Sequence, residues 1–186
     1  ADTRGGHSFA DFGARSAIEV LSRLTCALYR QALPRAAGSV TTYNVGMISG
    51  GTSINAIAQH AEMLYEYRSN DAKSLAAMKE KLNVILRENA LPDAKVTVEL
   101  LGERPCGTAT DPAAQKALET ACCAALKHYV GGKKPISVGS TDCNIPLSLG
   151  IPSASFGMYR GGGAHTREEW IEPSSLCAGM KAAASV

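Results

Sequence analysis

From the first residues to Leu101, the apolar positions alternate between strand spacing and helical spacing in a fixed order, and that order restricts the possible folds more than any single motif. Residues 1 to 8 read as the end of a strand. Ala17, Ile18, Leu21, Leu24, Leu28 and Tyr29 then recur at helical spacing in a segment of about 18 residues that Pro34 brings to a close. A strand is expected from Ser39 to Ile48, a turn at Ser49-Gly50-Gly51-Thr52, and a second strand from Glu62 to Ser69, where Met63, Tyr65 and Tyr67 alternate with Leu64, Glu66 and Arg68. Asp71 is placed to cap a helix carrying Leu75, Met78, Leu82, Ile85 and Leu86, which ends near Pro92. A last strand is expected over Lys95 to Leu101.

Strand, helix, strand, strand, helix, strand is the order of a ferredoxin-like βαββαβ unit, an antiparallel sheet with both helices on one face. Residues 1–104 are therefore expected to form a first domain. Glu103 to Pro112, ERPCGTATDP, is rich in chain breakers and reads as a linker, with Asp111-Pro112 starting the next helix. Residues 105–186 are expected to hold that helix to about Val130 and a short strand Ile136 to Val138. A helical turn through Leu149, a strand Ser153 to Phe156 and a final helix from Pro173 follow. About 80 residues with two short strands make a thin core, so this half reads as part of a larger α/β domain.

Composition narrows the function classes. With 45% hydrophobic and 19% charged residues and a formal charge of +2, the chain has no basic excess suited to nucleic acid or an anionic membrane. Its apolar runs are shorter than the roughly 20 residues of a membrane span, and the opening ADTRGG lacks signal-peptide architecture. Cys26, Cys106, Cys122, Cys123, Cys143 and Cys177 show no paired zinc-site spacing and read as reduced thiols, which points to a cytoplasmic protein.

The glycine run Gly161, Gly162 and Gly163 precedes His165 in GGGAHTREEW. Glycines free the backbone to approach a ligand, and His is a common metal ligand and general base, yet a His in a loop can equally be a solvated residue. On local chemistry both readings stand.

Four segments, GGHSFADFG (5–13), NVGMISGGTSINAIAQHAEMLYEYRSND (44–71), GSTDCNIPLSLGIP (139–152) and GGGAHTREEW (161–170), carry a resemblance to the C-terminal portion of M20-family metallopeptidases of the aminopeptidase and tripeptidase-like branch. The resemblance implies a ferredoxin-like lid, often used for dimerisation, followed by a partial zinc-peptidase-like α/β catalytic segment. It implies that His165 is the last metal ligand of a two-zinc site. It implies that His7 reaches an active site, commonly the partner subunit's, to hold the substrate carbonyl or its oxyanion, and that Asn55 and Arg68 hold polar groups of a peptide or N-acyl amino-acid substrate. A guanidinium fork suits a carboxylate. The residues themselves leave other roles open: a strand-end hydrogen bond for His7, a left-handed turn for Asn55, a surface salt bridge for Arg68. Asn144 and Asp142 lie in a loop after an expected strand, where α/β proteins place ligand-facing groups, although Asp142 also suits a helix cap. Glu168 and Glu169 follow His165 and are expected to orient its loop rather than serve as the family's upstream glutamate pair.

No HxD motif occurs in the sequence. The resemblance therefore leaves most zinc ligands to the N-terminal half of the catalytic domain, and one ligand alone is too few for a catalytic zinc. The chain alone is expected to be inactive, either as part of a zinc-dependent exopeptidase or amidohydrolase or as a stand-alone dimerisation and substrate-binding module. A homodimer through the lid is expected.

Overall fold

The computed structural model describes residues 1–107, 110–131 and 136–186, so residues 108 and 109 of the expected linker lie outside the described residues. The chain forms two compact units, Ala1–Glu103 and Arg104–Val186.

In the first unit, helix α1 (Ala17–Arg30) buries Ala17, Val20, Leu21, Leu24 and Leu28 along one stripe. Ile18 and Tyr29 flank that stripe and remain 44% and 51% exposed. Helix α2 (Ala72–Glu88) starts where the Asp71 carboxylate accepts the Ser74 N–H at 2.7 Å, satisfying one of the donors that a helix start leaves open. Strands β3 (Thr41–Gly50) and β5 (Ala61–Ser69) form an antiparallel pair with Tyr43 opposite Tyr67 and Val45 opposite Tyr65. The register shifts between Val45 and Met47, a bulge at Gly46. Both helices pack on β5 and on each other. The core gathers Leu24, Leu28 and Val20 with Ala58, Ala61 and Ile85, and Met63 and Tyr65 close it from the sheet.

Short pairings complete the unit. Strand β1 (Asp2–Thr3) pairs antiparallel with β6 (Ala94–Lys95), and Asp2 also bridges antiparallel to His60 just before β5. The His60 Nδ1 lies 2.8 Å from the Asp2 carboxylate and is the chief cause of that carboxyl's lowered pKa. Strand β2 (Gly6–His7) pairs antiparallel with β4 (Ala56–Ile57), two residues long and unmarked in the sequence. The strand expected over Lys95 to Leu101 is a correction: only Ala94 and Lys95 enter a ladder, and Val98, Leu100 and Leu101 are exposed.

In the second unit, α3 (Pro112–Tyr129) is capped by the Asp111 carboxylate, which accepts the N–H groups of Ala113 and Ala114, and it packs against α5 (Leu176–Ala184). A short helix α4 (Asn144–Ser148) and a 3-10 turn (Pro173–Ser175) are the other helical pieces. The strands expected at Ile136 to Val138 and Ser153 to Phe156 do not form. Ile136 and Val138 are exposed, and the Ser153 N–H donates to Gln115 Oε1 at 2.9 Å while its carbonyl accepts from Gln115 Nε2 at 3.1 Å, in place of a neighbouring strand. The ladder in this unit is elsewhere: β7 (Arg160–Gly162) pairs antiparallel with β8 (Trp170–Glu172). The chain is thus a mixed α/β protein.

Candidate functional site

His7 sits at the end of β2, held from both sides. Its backbone N–H donates to the Asp11 carboxylate at 2.8 Å, and its carbonyl accepts the Asp11 N–H at 2.9 Å. Asp11 also accepts from the Arg4 guanidinium at 3.0 Å. The Phe9 and Ala10 N–H groups both approach the imidazole Nδ1 at 3.3 Å, so Nδ1 is an acceptor and the ring proton lies on Nε2. The exposed ring therefore offers one N–H donor in a fixed orientation. The glycines before it are needed for space. A Cβ on Gly6 would lie 2.7 Å from the Asp11 side chain, and one on Gly5, where φ is +65°, would strike the Gln59 side chain. Asp11, four residues beyond the histidine, is the part of this arrangement that sequence reasoning missed; the acid in GGHSFAD is its only signal.

Asn55 lies across the β2–β4 pairing, and its carbonyl accepts the Ser8 N–H at 2.9 Å. Its side-chain Oδ1 accepts from the Ser53 hydroxyl at 2.9 Å, and its φ is not positive, so the left-handed turn is not its conformation. Asn55 is thus the turn residue that leads into β4, next to Ala56, which pairs with His7. Arg68 is on the exposed face of β5, opposite Thr42, and the Glu66 carboxylate takes its guanidinium through both Nε and Nη2, the shortest contact being 2.7 Å. That pairing raises the Arg68 pKa.

In the second unit the glycine loop is a hairpin. Gly161 and Gly162 are in β7, and side chains there would collide with the Trp170 carbonyl at 2.5 Å and the Trp170 indole at 3.0 Å. Gly163 has φ +67°, and the following turn closes on Thr166, whose N–H and hydroxyl both donate to the Gly163 carbonyl. His165 has φ +65° and is the non-glycine residue with positive φ among those described, a conformation costing about 1–2 kcal/mol. Its N–H donates to the Glu169 carboxylate at 3.2 Å, and its exposed imidazole makes no hydrogen bond or ion pair with a described residue.

The base of this hairpin is clamped where Arg160 faces Glu172, with two contacts of 2.7 Å. The guanidinium, helped by the Ser174 hydroxyl, draws the Glu172 carboxyl from its ordinary 4.5 down to about 2. Because the folded value is the lower one, the clamp's stabilisation is complete above the ordinary value and is lost as pH falls towards about 2. Carboxyl NMR of Glu172 should accordingly show a midpoint near 2; a midpoint at the ordinary value would mean that the clamp does not form in solution.

Asn144 is fully engaged: Oδ1 accepts the Thr141 N–H at 2.8 Å and Nδ2 donates to the Pro105 carbonyl at 3.2 Å. Asp142 makes no cap on α4; its carboxylate pairs with Arg104 at 3.2 Å. Among the described residues no three His, Cys, Asp or Glu side chains converge in a way that could hold a metal ion.

Residues 1–94 match the M20 peptidase dimerisation domain, and the chain belongs to that peptidase family. Among solved structures it is similar to the aminopeptidase PepT from Bacillus cereus ATCC 10987, with 21% identity, a TM-score of 0.59, and coverage of 99% of this chain and 48% of that one. It is likewise similar to a tripeptidase from Staphylococcus aureus subsp. aureus Mu50, with 21% identity, a TM-score of 0.60, and coverage of 97% and 48%. At this identity the likeness is one of fold, and the chain spans about half the length of either structure. No curated protein matches it.

Proposed function

We propose that this chain supplies the lid and the last catalytic segment of a zinc-dependent exopeptidase or amidohydrolase acting on a peptide or N-acyl amino acid. Residues 1–104 form the lid and residues 105–186 belong to the catalytic domain. The pairings β6 with β1, Asp2 with His60 and β5 with β3 support a ferredoxin-like sheet for the lid. The observation that carries the proposal is the state of His7: two N–H groups fix its Nδ1 as acceptor, leaving Nε2–H to hold a substrate carbonyl and the oxyanion it becomes. Asn55, in the turn that leads into the adjoining strand, is placed to contact the same substrate. Arg68 takes a substrate carboxylate by exchanging it for Glu66.

His165 fits one ligand position, since its imidazole is exposed and uncommitted on a turn held by Thr166 and Glu169. Two zinc ions would supply an activated water for attack on the carbonyl. The glycines keep the β7–β8 hairpin thin beside that histidine, and Asn144 fastens the neighbouring loop. The other ligands come from the N-terminal half of the catalytic domain, so this chain alone is inactive. The test is to co-produce it with a segment carrying those ligands: zinc binding and tripeptide hydrolysis should appear only in the pair. Hydrolysis by this chain alone would overturn the proposal. The alternative, a stand-alone module, predicts no hydrolysis in either preparation. The six thiols, with Cys122 buried, suit the reducing cytoplasm.

The lid dimerises along β3. That strand is ten residues long, pairs with β5 as its partner among the described residues, and carries Met47 and Ile48 at 41% and 51% exposure. An open edge of that length is a template for a second chain, and lysines on edges block such pairing. Met47→Lys with Ile48→Lys should weaken self-association at least about tenfold by sedimentation. Unchanged association would place the contact elsewhere.

A further inference from the structure

We infer that Cys106 and Cys143 are an oxidisable pair whose disulfide staples the segment 104–107 to the loop that opens α4. The two cysteines come from strands of chain that run side by side in the second unit. On one side of them, Arg104 reaches Ser140 and Asp142, both at 3.2 Å, and the Pro105 carbonyl accepts from Asn144 Nδ2 at 3.2 Å. On the other side, Gly107 lies so close to Leu147 and Ser148 that a Cβ would collide with their backbone. Cys106 directly follows Pro105 and Cys143 directly precedes Asn144, so each cysteine adjoins a hydrogen-bonded contact between the two segments. The loop holding Cys143 is itself fixed, because the Cys143 N–H donates to the Thr141 hydroxyl and the Thr141 N–H to Asn144.

Both side chains are half-buried, accessible to a small oxidant yet constrained by their surroundings. The other four cysteines differ. Cys26 and Cys177 are exposed and lie on helices α1 and α5, and Cys122 and Cys123 are neighbours on α3. Burial pushes the Cys122 thiol up, which keeps it protonated and a poor nucleophile.

The oxidant class is a small-molecule disulfide such as oxidised glutathione. The thiolate of one cysteine attacks it, forming a mixed disulfide and releasing one glutathione thiolate. The second cysteine, as its thiolate, attacks the protein sulfur of the mixed disulfide, releasing the other glutathione. Two protein thiols and one oxidised glutathione become one protein disulfide and two reduced glutathiones. Closure ties together the two ends of the segment that contains α3 and fixes the loop of Asn144. It requires the geometry of an ordinary disulfide, with Cα atoms roughly 4.4–6.8 Å apart. The inference is independent of the peptidase reading, since it needs neither metal nor substrate.

The full chain should be equilibrated with oxidised and reduced glutathione, alkylated, and mapped by mass spectrometry without reduction. The expected product links the Cys106 peptide to the Cys143 peptide, with two fewer alkylated thiols and increased hydrogen-exchange protection over residues 140–148. Cys106→Ser and Cys143→Ser should each abolish the link and leave a glutathione adduct on the remaining member, whereas Cys26→Ser with Cys177→Ser should leave the link intact. Circular dichroism of each serine variant checks that it is folded. Adducts confined to Cys26 and Cys177, or a link between any other pair, would overturn the inference.

Discussion

Leu24→Ala is expected to remove about 2–5 kcal/mol from the stability of the first unit. Leu24 is 1% exposed, in the middle of the α1 stripe, with Leu21 and Leu28 on either side and Ala58, Ala61 and Ile85 completing the cluster. Ala58 and Ala61 are small, while Met63 and Tyr65 border the cluster from the sheet. A cavity term adds to the lost transfer energy. Ile18→Ala on the same helix supplies the control. That residue is 44% exposed, and its loss should change stability by less than about 1 kcal/mol. Urea unfolding followed by circular dichroism measures both. Equal effects of the two substitutions would show that the α1 stripe does not face the core as described.

His7→Ala is expected to lower kcat of the assembled peptidase by about 10²–10³-fold with little change in KM, the behaviour of a donor that acts on developing charge. Two features of the fold set that expectation: the N–H groups that hold Nδ1 as acceptor, and the Asp11 carboxylate that pins the His7 backbone. Asp11→Asn keeps an acceptor for the His7 N–H but weakens the ion pair with Arg4, so its effect should be far smaller. A fall in kcat/KM carried entirely by KM would assign His7 to ground-state binding and remove it from the chemistry.

Much of the first unit is legible in the sequence because its elements are long enough to be periodic. The α1 stripe, the Asp71 cap and the β3–β5 alternation each follow from local patterns that agree with their surroundings. The failures share one cause. Alternation over Lys95 to Leu101, Ile136 to Val138 and Ser153 to Phe156 shows how side chains would divide between two faces but cannot show which backbone lies alongside. At Ser153 the partner is the Gln115 side chain, 38 residues away, which no strand pattern encodes. Strands of two residues, such as β2 and β4, carry no period at all, yet they are what positions His7 against Asn55.

The candidate residues divide in the same way. GGH and GGGAH stand out by composition, but their glycines answer to neighbours that the motifs do not name: Asp11 and Gln59 in one, Trp170 and Glu168 in the other. The left-handed backbone of His165 is likewise invisible without the Thr166 turn that imposes it. Arg68 and Asn144 are recognisable as polar strand or loop residues with local partners in Glu66 and Thr141, whereas the contact of Asn144 with Pro105, 39 residues away, depends on the fold.

On the proposed function, His165 joins a metal site completed by other residues of the parent enzyme. Zinc analysis of the assembled protein, with His165 intact and with His165→Ala, tests it most directly. The intact assembly should hold two zinc ions per active site, and the substitution should release at least one of them and abolish hydrolysis, while circular dichroism stays the same. An assembly that keeps its full zinc content and its activity after His165→Ala would contradict it.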